Sequence, residues 1–102
     1  MRVFATKRFH KERNKQLSES QQAQLEEFVS RLKRGSQRAK PLRGRWLYEV
    51  KLQGKRAYFV ATEQAELFVA ASGKKDQDEK ISRIVKHKEV YLGLLNKWFS
   101  TR

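Results

Sequence analysis

The spacing of apolar positions changes period along the chain, and each change marks an element. Val3 and Phe4, within residues 1–5, predict a short strand. Thr6 then stands as the N-cap of a helix reaching about Leu17, with Phe9, Arg13 and Leu17 on one face. Ser18 and Gln21 have the spacing of a capping box. The stripe Leu25, Phe28, Val29, Leu32 follows at helical spacing and ends before Gly35. Its acids lie in the first half and Arg31, Lys33 and Arg34 at the end, as the helix dipole favours. Ser36 to Arg45, with the only proline, Pro41, and Gly44, reads as a loop. The period then becomes two. Trp46, Tyr48, Val50 and Leu52 alternate with Leu47, Glu49, Lys51 and Gln53. Strands Lys55–Thr62 and Ala65–Ser72 follow, joined through Gln53-Gly54 and Glu63-Gln64. Asp76 and Glu79 have the spacing of a second capping box. They open one long helix with Ile81, Ile84, Val85, Leu92, Leu95 and Phe99 on its inner stripe. The order is β-α-α-β-β-β-α. It predicts a single α+β domain over residues 1–102, a small antiparallel β-sheet with helices packed on one face.

A two-residue turn at Gln53-Gly54 fixes the register of the first hairpin. Leu52 then faces Lys55, Lys51 faces Arg56, Val50 faces Ala57, Glu49 faces Tyr58 and Tyr48 faces Phe59. Alternation sends Glu49, Lys51, Arg56 and Tyr58 to one face and the apolar set to the other. Two cations directly opposite each other destabilise a sheet. The pairing is explained if an anion sits there. The second turn sets Thr62 against Ala65, Phe59 against Phe68 and Arg56 against Ala71. Gly73-Lys74-Lys75 leaves the sheet beside Arg56. The segment Lys40 to Arg45 feeds the same sheet and brings Lys40, Arg43 and Arg45 towards the cluster.

Composition sharpens this picture. The chain has 24 Lys+Arg against 11 Asp+Glu, a formal charge of +13, and a pI near 10.4. Residues 31–56 alone hold ten of those cations and a single acid, Glu49. A concentrated patch of this kind points to a polyanion as partner. An aromatic content of 11% argues against a fully disordered chain. Cysteine is absent, which excludes disulfides, thiolate metal sites and Cys nucleophiles. The two histidines, His10 and His87, do not make a zinc cage, so no metal or cofactor is expected. No apolar run spans a bilayer, and residues 1–5 lack the 7–15-residue apolar core of a signal peptide. A cytoplasmic protein without membrane contact is expected.

Lys40-Pro41-Leu42-x-Gly44, then Leu47-Tyr48-Glu49-Val50-Lys51, then Arg56, then Gly73-Lys74-Lys75 and a final helix, resembles the RelE/ParE toxin superfamily. These are toxins of type II toxin–antitoxin modules. The resemblance implies a small antiparallel sheet with packed helices, and one of two activities. RelE-like members cut messenger RNA in the ribosomal decoding site; ParE-like members inhibit DNA gyrase. Carried over by position, Lys51, Arg56 and Lys75 match basic residues placed around the scissile phosphate. Glu49 matches a position that is acidic or basic among members. The resemblance also implies an acidic antitoxin partner, the toxin being a monomer or part of a hetero-oligomer with it.

The nuclease branch of the resemblance implies attack of the RNA 2′-hydroxyl on the adjacent phosphate, without metal. Arg56 is assigned charge stabilisation, because its planar fork suits phosphate oxygens. Lys51 faces a cation, which disfavours its own charge and suits it to act as base, with Glu49 competing. Lys75 is assigned phosphate holding or proton donation. Lys40, Arg43, Arg45, Lys55, Lys74 and Tyr58 are assigned to the RNA backbone. One departure stands out. Many nuclease members place a Tyr or His at the start of the last helix or near the C-terminus, where this chain offers Ile81, with His87 and Tyr91 further along. Three readings stay open: a ribosome-dependent endoribonuclease, a gyrase inhibitor of the same fold, and a non-catalytic nucleic-acid-binding domain.

Overall fold

The computed structural model describes residues 2–35 and 39–100, the side chains of 99 and 100 excepted. The elements are β1 (Arg2–Ala5), α1 (Lys7–Gln16), α2 (Glu19–Lys33), β2 (Lys40–Arg43), β3 (Leu47–Leu52), β4 (Lys55–Ala61), β5 (Ala65–Ser72), α3 (Gln77–Lys86) and α4 (Lys88–Ser100). The α+β class is as expected. The first two helices start at the caps the sequence names. Thr6 Oγ1 accepts from the Phe9 N–H at 3.0 Å. Both bonds of the Ser18/Gln21 box form, at 3.1 and 2.8 Å. The expected box at Asp76 does not form. Its carboxylate accepts instead from the Gly73 N–H at 3.0 Å, the local turn competing for the short side chain. The long final helix is two helices. The His87 N–H reaches back to the carbonyls of Arg83 and Ile84, and His87 Nδ1 lies 2.9 Å from Arg83 O. Phe99, expected on the stripe, lies outside the described side chains.

The sheet has five strands in the order β1-β5-β4-β3-β2. Residues 40–43, expected in a loop, add the edge strand β2 with an irregularity between Pro41 and Arg43. An edge is where a proline is tolerated, because its missing N–H would face outwards. The β3–β4 register is the expected one throughout, Lys51 facing Arg56 included. Gln53 and Gly54 both have positive φ, 49° and 88°, the signature of the two-residue turn that matches strand twist. In the second hairpin Phe59 faces Phe68 as expected. A bulge then shifts the ladder by one residue, so Arg56 faces Ser72 and not Ala71. β1 closes the other edge, running parallel to β5.

The expectation that helices cover one face is corrected: both faces are covered. Phe9, Leu17, Leu25 and Leu32 pack with Val50, Leu52, Ala57, Phe59, Phe68 and Ala71 on one face. Ile84 and Leu95 pack with Leu47, Tyr58, Val60, Leu67 and Val69 on the other. Period-two alternation puts these sets on opposite sides of the same strands. No helix among the described residues is long and apolar enough to cross a membrane.

Candidate functional site

Antiparallel pairing brings the start of β2, the end of β3, the start of β4 and the end of β5 to one end of the sheet. Lys40 pairs with Glu49, Lys51 with Arg56, and Arg56 with Ser72. Lys74 and Lys75 follow Ser72 by two and three residues, which keeps them within about 10 Å of that row. Lys55 bends over the same exit: a Cβ on Gly73 would stand 3.2 Å from Lys55 Nζ. Lys40, Lys51, Lys74 and Lys75 are exposed and Lys55 half-buried. None of the five forms an ion pair among the described residues.

At the centre of these lysines lies an anchored pair. Arg56 Nε donates to Glu49 Oε1 at 3.2 Å, and the Arg56 side chain is 16% exposed. Glu49 is 3% exposed, and Gln77 Nε2, from the first turn of α3, lies 3.5 Å from its Oε2. Glu49 therefore holds Arg56 in place through Nε. This corrects two expectations. Glu49 is buried and committed to Arg56 and Gln77, so it is not placed to take a proton from a substrate. The cation that Lys51 faces is compensated by Glu49, so the like-charge argument for Lys51 as base falls away; its exposure at the sheet end remains.

Three other assigned residues are not at the surface of the cluster. Tyr58 is fully buried, its hydroxyl 2.8 Å from Ser72 Oγ, and burial pushes its pKa up. It is a core residue under α3 and not a phosphate contact. Arg43 and Arg45 lie at the opposite end, because β2 runs antiparallel to β3 and Arg43 pairs with Leu47. Lys51 lies four positions beyond Leu47, or about 13 Å of strand. Ile81 and Tyr91 pack into the core of the second face, and His87 is exposed at the α3–α4 junction, its ring 6.5 Å from that of Tyr91. Lys88 from the next turn sits over the Trp46 ring at 4.9 Å.

The structure also brings forward residues that sequence reasoning missed. Gln77 steadies Glu49 although 28 positions separate them. Glu12 on α1 accepts from the Ala71 N–H at 3.1 Å and from Lys80 and Arg83 on α3. Burial alone would raise its pKa. The hydrogen bonds from Lys80 and Ala71, with the charges of Lys80 and Arg83, outweigh that and hold it below the ordinary value. No local signal marks such contacts, since their partners are 59 to 71 positions away. Among the described residues no group of His, Cys, Asp and Glu is placed to hold a metal ion.

No family model and no curated protein matches the chain. Two solved structures from Helicobacter pylori are similar in fold. One is the solution structure of a conserved hypothetical protein, 13% identical, with a TM-score of 0.47 over 74% of this chain and 96% of that one. The other is the crystal structure of a copper-bound mutant toxin, 13% identical, with a TM-score of 0.44 over 76% and 98%.

Proposed function

We propose that this chain is the toxin of a type II toxin–antitoxin pair, a RelE-like endoribonuclease that cuts messenger RNA held on the ribosome. The observation that carries this reading is the group of five lysines, without an ion pair among the described residues, at the end of the sheet where one Arg is fixed by a buried carboxylate. Lysines without a partner raise the local affinity for phosphate. The fixed guanidinium gives that charge one defined position, which chemistry requires and simple attraction does not. The resemblance supports the reading: Lys51, Arg56 and Lys75 match by position the basic residues that RelE-like toxins use around the scissile phosphate.

The reaction needs no group beyond these. Lys51 is assigned the role of base and takes the proton of the 2′-hydroxyl. The 2′-oxygen bonds to phosphorus while the bond from phosphorus to the 5′-oxygen breaks. Arg56 neutralises the charge gathered on the phosphate oxygens. Lys75 gives its proton to the leaving 5′-oxygen, leaving a 2′,3′-cyclic phosphate and a 5′-hydroxyl. Lys40, Lys55 and Lys74 hold the flanking backbone. A cytoplasmic acidic antitoxin would cover this end of the sheet as a segment that orders on binding.

Purified protein added to ribosomes stalled on a defined message tests the reading. Cleavage within the decoding site is expected, with Lys51→Ala and Lys75→Ala each slowing it about a hundredfold. Unchanged cleavage in both variants removes the assigned roles. A second reading is favoured by one observation: Tyr58 is buried, and no His is at the cluster among the described residues. That reading is a gyrase-directed toxin of the same fold. Intact message together with blocked DNA supercoiling selects it.

A further inference from the structure

At the other end of the sheet, on the opposite face, lies a cavity of about 630 Å³. Its walls include Tyr48, Phe59, Leu32 and Ala61, and Glu66 from β5 lines it as well. Tyr48 and Phe59 are stacked, with centroids 5.2 Å apart and planes 12° from parallel. Glu66 is 5% exposed, and its Oε1 has no hydrogen-bond partner. A buried carboxylate oxygen without a donor is costly, and natural folds keep one when something else completes it. Burial pushes its carboxyl up to about 7, with the N-terminal charge acting in the opposite sense. Two charged residues also line the cavity, Arg45 before β3 and Glu63 in the β4–β5 turn. Arg45 is exposed and makes no ion pair with Glu66.

We propose that this cavity is a docking site for an arginine side chain carried by an acidic protein partner. The aromatic wall suits a planar guanidinium, which stacks on rings, and the orphaned carboxylate suits its paired N–H donors. Charge decides what brings it there. A surface of net charge +13 draws an acidic polypeptide, which can deliver one basic anchor and hold it there. From Ala61, which pairs with Glu66, to Arg56 is five residues, or about 17 Å of strand. A partner held here therefore leaves the basic end of the sheet open, or reaches it only with a further segment. The inference needs an acidic partner and no particular activity at the basic end.

The test titrates full-length ¹⁵N-labelled protein with N-acetyl-arginine methylamide, and with N-acetyl-norleucine methylamide as a cation-free control. Saturable shifts confined to the amides around Leu32, Tyr48 and Ala61 to Glu66 are expected from the arginine probe alone. Glu66→Gln, which keeps size and shape, should weaken them at least about tenfold. Equal shifts in Glu66→Gln, equal shifts with the norleucine probe, or no saturable shift in the millimolar range overturns the proposal. Arg45→Ala serves as a second variant. Unchanged probe affinity supports an external arginine, whereas a gain identifies Arg45 as the occupant and overturns it. None of these readouts depends on RNA cleavage, so they stand or fall apart from the toxin reading.

Discussion

At the scale of single residues, burial separates the charged groups that can meet a substrate from those that hold the fold. Glu49 and Arg56 form one unit, and Tyr58 and Ser72 another, a strand away on the same face. Tyr58→Phe removes a hydroxyl from a buried pair without opening a cavity. It is expected to cost about 1 kcal/mol in denaturant unfolding and to leave activity unchanged. Lost activity with full stability would return Tyr58 to the site. Glu66 behaves in the opposite sense. Its folded pKa, near 7, lies above the unfolded value of 4.5, so the neutral form is the one the fold accepts. Below the unfolded value it costs nothing through ionisation. As pH rises from there to about 7 the fold loses stability, reaching a penalty of about 3 kcal/mol. Glu66→Gln is therefore expected to raise the Tm above pH 7 and to converge with the parent protein in acid. Equal Tm values at all pH would mean that the carboxylate is already satisfied.

Elements differ in how far their neighbours in sequence determine them. The caps at Thr6 and Ser18 and the Gln53-Gly54 hairpin are contacts between residues a few positions apart, and all were readable from spacing. Lys51 facing Arg56 follows from that turn alone. The bulge that replaces Ala71 by Ser72 opposite Arg56 has no such local sign. Coverage of both faces left a trace in β5, whose residues are all buried and whose near-continuous apolar run is typical of a strand with two covered faces. β2 was hidden because a Pro-containing edge strand reads as a loop, and with it went the true positions of Arg43 and Arg45. The site is half-legible for the same reason: the cluster follows from register, but its anchoring by Glu49 depends on α3 packing over that face. Glu12 shows the long-range contribution most clearly. β1 pairs with β5 only from Ala65 to Phe68, and Glu12 takes the Ala71 N–H beyond that point while binding α3. Its lowered pKa means that its contribution is complete above the ordinary carboxylate value and lost as pH falls through the folded one. Glu12→Gln should therefore cost about 2 kcal/mol at neutral pH, the two unfolding curves meeting in acid. A constant difference down to low pH would show that charge is not the cause.

Over the whole molecule the charge of +13 divides into unequal parts. Arg8, Arg13, Arg31, Lys80 and Arg83 are paired with acids and act within the fold. The lysines at the sheet end are not, and they dominate any contact with a phosphate backbone. RNA affinity measured across salt concentrations should fall linearly on logarithmic axes. Replacing Lys51, Lys55, Lys74 or Lys75 by Ala should reduce the slope by about 0.7 each, and Arg43→Ala should leave it unchanged. Equal effects from both ends of the sheet would mean that charge acts without a site. The parallel pairing of β1 with β5 has a consequence in time. Arg2 lies opposite Ala65, so that contact closes a loop of some sixty residues. The entropic cost is about 3.7 kcal/mol before any pairing is gained. The β3–β4–β5 meander closes only short loops and is free to form first. β1 is thus among the last strands to dock, and until it does the outer edge of β5 stays open to pairing with another chain.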